Sequence, residues 1–165
     1  MHIGVDLDNT VLDATSAYLH YYNMVSGLSL TPDDVNDFYL YRLYGWDEEE
    51  RDAIYNKHGH DIHWNSSPLP MAVEILQELS DQHQISIITA RPLFFRDVTI
   101  YWLKNHNIHF NNITFTENKL QECMNSKVIL FEQPYNLSVT NDLIYRATNW
   151  FEVKRHIDYL KSRLG

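Results

Sequence analysis

Short apolar runs rich in β-branched residues alternate along this chain with longer segments whose apolar residues recur at helical spacing. The short runs predict strands at residues 2–7, 85–89, 113–115 and 127–131, with a short fifth strand at 143–147. Strands that alternate with helices indicate an α/β fold. We therefore predict a Rossmann-like, mostly parallel sheet with helices on both faces and right-handed crossovers.

Turn and capping residues indicate where the helices begin and end. Gly27 stops a first helix that starts at residue 14, and Thr31 followed by Pro32 opens another. Further helices are predicted at residues 47–57, 72–79, 93–105 and 150–163.

The first three of these helices lie between strand one and the break at Pro68-Leu69-Pro70. We therefore expect residues 14–66 to form a helical insertion after strand one. Residues 1–13 and 67–165 would then make up a single α/β core, since 165 residues is the usual size of one domain.

Composition and charge narrow the classes of partner. The formal net charge of −9 opposes binding to polymeric nucleic acid or to an anionic membrane. No apolar run approaches the roughly 20 residues that a membrane-spanning helix needs. Cys123 is the single cysteine, and the strand-like start leaves no room for a signal peptide. We expect a cytoplasmic protein that binds a small ligand, and a homodimer is left open.

Candidate chemistry lies where the predicted strands end, because ligands of parallel α/β sheets bind beyond the carboxyl ends of the strands. The residues at these ends are Asp6, Asp8, Thr89, Ala90, Arg91, Thr116, Lys119, Glu132 and Gln133. Two carboxylates, a hydroxyl, cations and a further acid are the groups needed to attack a phosphate ester beside a divalent metal.

Each of these groups has a physical role in such a reaction. Asp6 can displace the alcohol and form an aspartyl-phosphate. Asp8 can donate a proton to the leaving oxygen and then activate water. Thr89, Ala90 and Arg91 would bind the phosphate, while Lys119 and Mg²⁺ would neutralise its charge. Arg91 could instead pair with a carboxylate, and this alternative stays open.

The string Asp6-Leu7-Asp8-Asn9-Thr10 resembles the DxDx[TV] signature of the haloacid dehalogenase (HAD) superfamily of phosphohydrolases. Thr89 and Lys119 fall where its second and third motifs belong. Three further segments, Pro68-Leu69-Pro70, Ile88-Thr89-Ala90-Arg91-Pro92 and Asn149-Trp150, resemble the cytosolic 5'(3')-deoxyribonucleotidases and their bacterial and phage relatives.

This resemblance implies a Mg²⁺-dependent phosphomonoesterase acting on (deoxy)nucleoside monophosphates. It also implies that the 14–66 insertion is a cap whose aromatic residues stack a nucleobase. The candidates for that substrate pocket are Phe38, Tyr39, Tyr41, Tyr44 and Trp46. Most of these rings could instead form a small core that packs the cap onto the body.

The fourth HAD motif, a strand ending in one or two metal-binding aspartates, has no match after Lys119. The predicted strand 127–131 ends in Glu132, which could serve as the missing metal ligand beside Asp6 and Asp8. Alternatively, the motif-four segment is absent and this strand corresponds to the family's final one. In both cases we expect 128–131 to lie beside strand one, which would bring Glu132 near Asp6. Asp142 is a weaker candidate than Glu132 for the missing metal ligand.

Two other hypotheses compete with that of a nucleotide phosphomonoesterase. The chain could bind a nucleotide or a protein partner without turnover, or it could hydrolyse another small phosphometabolite. His58, His60 and His63 match no standard zinc spacing, so we expect solvated loop histidines rather than a metal site.

Overall fold

The structure, a computed structural model, describes residues 1–117, 127–131 and 144–164. Within these residues, five parallel strands form one sheet in the order β3-β2-β1-β4-β5. The strands are β1 (His2–Asp6), β2 (Gln84–Thr89), β3 (Asn112–Phe115), β4 (Lys127–Phe131) and β5 (Ile144–Ala147). The predicted α/β class and all five predicted strands are confirmed.

Helices fill the connections. They are α1 (Ala14–Ser26), α2 (Leu40–Leu43), α3 (Glu48–Trp64), α4 (Ala72–Ser80), α5 (Arg96–Asn105) and α6 (Trp150–Leu164), with 3-10 turns at Pro32–Asp34 and Leu93–Phe95. No helix in these described stretches is long and apolar enough to cross a membrane.

The segment after Thr31 differs from its prediction. Asp34 accepts a hydrogen bond from the Thr31 backbone and closes a capping box, but Val35 is already extended at ψ 109°. The helix therefore stops after one 3-10 turn.

Helix α3 runs on past the predicted end at residue 57. The expectation of loop histidines is wrong, since His58, His60 and His63 all lie on this helix. His63 is 1% exposed. Gly59 lets the helix approach the body closely, because a Cβ at this position would overlap the Phe95 ring. Packing against that ring stabilises the last two turns.

The hydrophobic core is formed by residues of the sheet and of helices α4, α5 and α6. Ile3 and Val5 of β1 are fully buried in the same apolar cluster as Leu76 of α4. Two buried tryptophans connect the core to loops, each through its indole N–H. Trp102 donates to the Ser66 carbonyl at 2.9 Å, and Trp150 donates to the Thr10 carbonyl at 2.8 Å. Helix α6 is thereby attached to the turn that follows β1.

Strand β4 pairs directly with β1, as expected from the sequence. The strand order reverses at β1, because β2 lies on one side and β4 on the other. Such a reversal opens a crevice beyond the carboxyl end of the sheet. Asp6 is the last residue of β1 and therefore lies at this switch point.

Candidate active site

The turn after β1 is held by its own backbone. The N–H of Val11 donates to the Leu7 carbonyl at 2.8 Å, and the N–H of Asn9 donates to the Leu12 carbonyl at 2.8 Å. Asn9 adopts a left-handed φ of 58°, which asparagine tolerates better than most residues. Its side-chain oxygen accepts from the backbone of Ala14 and Thr15, at the start of α1. The turn is therefore fixed at both ends.

Asp6 is only 3% exposed, yet it lines the cavity beyond the sheet. The Thr10 hydroxyl donates to its Oδ2 at 3.4 Å. A buried carboxylate is costly unless charges or hydrogen bonds compensate it. At the switch point, the Asp6 carboxylate is placed to react with an anion bound in the cavity. A cation bound beside it would reduce the repulsion between the two negative charges.

Asp8 and Arg91 form a bidentate ion pair. The guanidinium donates from Nε to Oδ2 at 3.0 Å and from Nη2 to Oδ1 at 2.7 Å. The side chain of Arg91 is 2% exposed and that of Asp8 is 31% exposed. Burial alone would lower the pKa of Arg91, but Asp8's charge and its hydrogen bonds raise it overall. Arg91 therefore stays cationic and directs two of its nitrogens at Asp8, which is the carboxylate pairing that the sequence left open.

The other strand ends contribute Thr89 and Ala90. Thr89 is 1% exposed, and its hydroxyl oxygen accepts from the Arg91 backbone N–H at 3.2 Å. The Thr89 carbonyl accepts from the N–H of Thr116, which follows β3. Ala90 lines the cavity beside Arg91. The structure thus brings Asp6, Asp8 and the 89–91 segment together at one edge of the sheet.

Lys119, Glu132 and Asp142 lie outside the described residues, as does Gln133. Among the residues that the structure describes, no group of three or more His, Cys, Asp or Glu side chains is arranged to hold a metal. The described oxygens at the end of β1, from Asp6 and the Asp8 backbone, are of the hard type that Mg²⁺ prefers. They fit part of a magnesium site.

A cavity of about 660 Å³ opens beyond Asp6. Its volume lies in the range of small-molecule sites. It is lined by Asp6, Asp8, Asn9, Ala14, Thr15, Tyr18, Tyr22, Val35, Asn36, Asp37, Phe38, Tyr39, Leu40, Tyr41, Arg51, Asp52, Tyr55, Ala90, Arg91 and Pro92.

The sequence-predicted aromatic residues divide into two groups. Phe38, Tyr39 and Tyr41 line the cavity, whereas Tyr44 and Trp46 are not among its lining residues. The last two stack on each other with ring centroids 4.8 Å apart at an angle of 19°. Both also pack edge-on against Tyr22. They therefore belong to the packing among the helices of residues 14–66 and support the cavity wall through Tyr22.

Arg51 is a charged residue of the cavity wall that was not predicted from sequence. Its guanidinium lies 5.0 Å from the centre of the Tyr41 ring and forms an ion pair with Asp52 at 2.9 Å. Both charges are partly exposed, so this pair contributes little to stability. It instead adds polar groups to an otherwise aromatic wall.

Tyr18, Tyr55 and His63 form a polar cluster beside the Asp8–Arg91 pair, in which His63 is buried and the two tyrosines are partly buried. The Tyr55 hydroxyl and His63 Nε2 are 2.6 Å apart, and the Tyr18 and Tyr55 rings stack at 6.1 Å. Burial, assisted by the charge of Arg91, lowers the pKa of His63 to about 3. Burial is also the main cause that raises the pKa of Tyr18 and of Tyr55. All three side chains are therefore neutral near pH 7.

Some signal for the missed residues was present in the sequence. Tyr18 and Tyr22 are four residues apart on α1, and Arg51 and Tyr55 are four apart on α3, so each pair shares a helix face. Helical spacing alone does not indicate which of several aromatic faces points toward the sheet. Thr99 of α5, whose hydroxyl oxygen accepts a hydrogen bond from Arg91, carried no sequence signal.

The fold and the site define a class of protein. A parallel sheet with a carboxylate pair after its first strand and a cavity at the switch point is the architecture of HAD-like hydrolases. A solved HAD-superfamily hydrolase of Geobacter sulfurreducens superposes with a TM-score of 0.58 at 14% identity, over 96% of this chain and 95% of that one. The solved structure of the Bacillus subtilis protein YfnB is described as bound to magnesium. It superposes with a TM-score of 0.51 at 14% identity, over 79% of this chain and 78% of that one.

The family model for "5' nucleotidase, deoxy (Pyrimidine), cytosolic type C protein" matches residues 1–164, and the chain belongs to this family. It is also 26% identical to the Bacillus subtilis protein named "Putative nucleotidase YqfW", over 99% of this chain and 97% of that protein. The resemblance stated from the motifs is confirmed. The chain is a nucleotidase-like hydrolase of the HAD type.

Proposed function

We propose that this protein is a Mg²⁺-dependent phosphomonoesterase that hydrolyses (deoxy)nucleoside monophosphates through an aspartyl-phosphate on Asp6. The observation that supports this proposal is the placement of Asp6. It is a buried carboxylate at the switch point of the sheet, facing a cavity of about 660 Å³ with an aromatic wall. A cavity of that size accommodates a nucleotide whose phosphate is directed at Asp6.

In the first step, a carboxylate oxygen of Asp6 attacks phosphorus and the bond from phosphorus to the ester oxygen breaks. Asp8, carrying a proton, gives it to the leaving alcohol. In the second step, Asp8 takes a proton from water while the water oxygen attacks the phosphorus. The bond between phosphorus and Asp6 then breaks, and inorganic phosphate leaves. The carboxylate form of Asp8, paired with Arg91, matches the second step.

The phosphate needs positive charge and hydrogen-bond donors. We assign donation to the Thr89 hydroxyl and to backbone N–H groups near Ala90. Arg91 contributes its charge at close range, although its guanidinium is directed at Asp8. Lys119, which follows β3, supplies a further cation in this proposal.

Mg²⁺ bound by Asp6, the Asp8 carbonyl and Glu132 would supply charge neutralisation for the approaching phosphate. The pairing of β4 with β1 supports the inclusion of Glu132, because the residue after β4 follows a strand adjacent to Asp6.

The helices of residues 14–66 act as the cap in this proposal. Tyr18 of α1 and Tyr55 of α3 line the cavity, together with Phe38 and Tyr41 between those helices. Aromatic faces stack on nucleobases with favourable free energy. The proposal includes a cytoplasmic location, which agrees with the single cysteine and thus with the lack of an intrachain disulfide.

The decisive experiment is phosphate release from a panel of nucleoside 5'-monophosphates, nucleoside 3'-monophosphates and sugar phosphates, with and without Mg²⁺. We expect turnover of nucleotides that requires Mg²⁺ and is absent in Asp6→Asn. Equal inertness of the wild type and Asp6→Asn across the panel would sink the enzymatic proposal in favour of binding without turnover. Preference for sugar phosphates would replace the nucleotide assignment. Glu132→Ala tests the metal ligand separately.

A further inference from the structure

Thr99 is a fully buried polar residue in the middle of α5. Its hydroxyl donates to the carbonyl of Phe95, one helical turn earlier, at 2.7 Å. The same oxygen accepts a hydrogen bond from Arg91 Nη1 at 3.0 Å. A threonine inside a helix often bonds the preceding turn, but here the oxygen also has a cationic partner from another segment.

The single hydroxyl proton of Thr99 makes this contact directional. Because the proton is donated to Phe95, the lone pairs of the oxygen face the guanidinium. Arg91 is therefore held on one side by Thr99 and on the other side by Asp8, through Nε and Nη2. The planar guanidinium cannot rotate without breaking at least one of these bonds.

The anchors of this network lie on different elements. Phe95 belongs to the 3-10 turn before α5, Arg91 to the segment after β2, and Asp8 to the turn after β1. Phe95 is itself packed against α3 by the Tyr55 and His63 rings, with centroids 4.6 and 5.0 Å away. The Phe95 carbonyl, which accepts the hydrogen bond from the Thr99 hydroxyl, thus belongs to a residue held by packing against α3.

We propose that Thr99 is a positioning residue that orients Asp8 through Arg91, and that orienting Asp8 rather than holding phosphate is the main task of Arg91. This inference rests on the proposed function of the site. A misplaced acid-base group slows the chemical step, whereas the groups that bind phosphate remain in place. Loss of the Thr99 hydroxyl should therefore lower kcat and leave KM almost unchanged.

The test compares Thr99→Val, which keeps the shape but removes the hydroxyl, with Thr99→Ser, which keeps the hydroxyl. We expect kcat to fall about tenfold in Thr99→Val, with KM and inhibition by inorganic phosphate within about twofold of wild type. Thr99→Ser should restore most of the rate. A raised KM with weaker phosphate inhibition and an unchanged kcat would overturn the proposal and make Arg91 a phosphate ligand.

Ser66→Ala is the matched control. Ser66 is also buried, and its hydroxyl donates to the carbonyl one turn earlier, that of Ile62, at 2.8 Å. Removing it costs a similar hydrogen bond without touching an arginine. If Ser66→Ala lowers kcat as much as Thr99→Val does, the effect is general destabilisation and the inference fails.

A second arm needs no activity and separates this inference from the proposed function. The urea midpoints of Thr99→Val, Asp8→Asn and the double variant form a double-mutant cycle. Coupling through Arg91 predicts that the double variant is less destabilised than the sum of the two single variants. Additive effects would mean that Thr99 and Asp8 are independent, and the inference would fall. An inert wild type would instead count against the enzyme proposal, while the cycle still decides the coupling.

Discussion

The strand ends and the helices of residues 14–66 meet at the same cavity but present different chemistry to it. At the strand ends, polar side chains are held by hydrogen bonds to one another, as Arg91 is by Asp8 and Thr99. On the helical side, the wall includes aromatic rings such as those of Phe38 and Tyr39, which are 52% and 42% exposed. Reaction chemistry requires fixed geometry, whereas substrate choice can rest on exposed surfaces. We therefore expect strand-end substitutions to change kcat and helix-side substitutions to change KM.

The largest effect is expected from Asp6→Asn. An amide is a far weaker nucleophile than a carboxylate, so kcat should fall on the order of 10³-fold or more. Phosphate release from a nucleoside monophosphate measures the loss. Asp97→Asn, at a carboxylate that is 81% exposed, is the control and should keep the wild-type rate. Substantial turnover in Asp6→Asn would show that the attacking group lies elsewhere.

Arg91→Met should have the next largest effect, and we expect it to lower the free energy of unfolding. Removing one partner of a buried ion pair leaves the other partner uncompensated, but Asp8 is partly solvated. We therefore expect a loss of about 2–3 kcal/mol in the free energy of unfolding by urea. Arg91→Lys should recover part of the stability because it keeps the charge but loses the bidentate geometry. Equal stability of all three proteins would refute the strength assigned to this pair.

The lowered pKa of His63 predicts that the stability of the fold depends on pH. The pKa of His63 is lowered from 6.5 to about 3 in the folded state. Above pH 6.5 the residue is neutral whether the chain is folded or unfolded, so it contributes no pH dependence there. Between pH 6.5 and 3, only the unfolded chain takes up the proton, and stability falls with falling pH. At pH 5 the loss should be about 2 kcal/mol.

Urea unfolding at pH 7.5 and pH 5 measures this loss. His63→Gln should show a smaller difference between the two pH values than the wild type. His60→Gln, at an exposed histidine of the same helix, should keep the wild-type difference. If His63→Gln retains the full difference, other groups cause the acid sensitivity.

The smallest effect is expected at the exposed aromatic wall. Phe38→Ala should raise KM for a nucleotide by about five- to tenfold with little change in kcat, because one stacking face is lost. Phe94→Ala is a matched control, since Phe94 is 81% exposed and is not among the cavity-lining residues. A change confined to kcat in Phe38→Ala would contradict the division between the two sides of the cavity.

Local sequence patterns determined the sheet and the position of the carboxylates. A short apolar run followed by Asp8-Asn9-Thr10 favours a strand and a tight turn, and β1 ends at Asp6, one residue before its predicted end at Leu7. The same patterns predicted that β4 lies beside β1, since a vacant position there would leave backbone groups unpaired. The extent of α3 was underestimated, because its last turns are stabilised by contact with Phe95 rather than by local propensity.

Tertiary structure decided which side chains meet across long separations. Arg91 follows Asp8 by 83 residues, and only the parallel pairing of β1 with β2 brings them within bonding distance. The sequence left the two roles of Arg91 undecided because a guanidinium suits a phosphate and a carboxylate equally well. The buried contact with Thr99 and the exclusion of Tyr44 and Trp46 from the cavity wall likewise depend on how helices pack. Residue types and local spacing thus determined the available chemistry, whereas packing determined how those groups are paired.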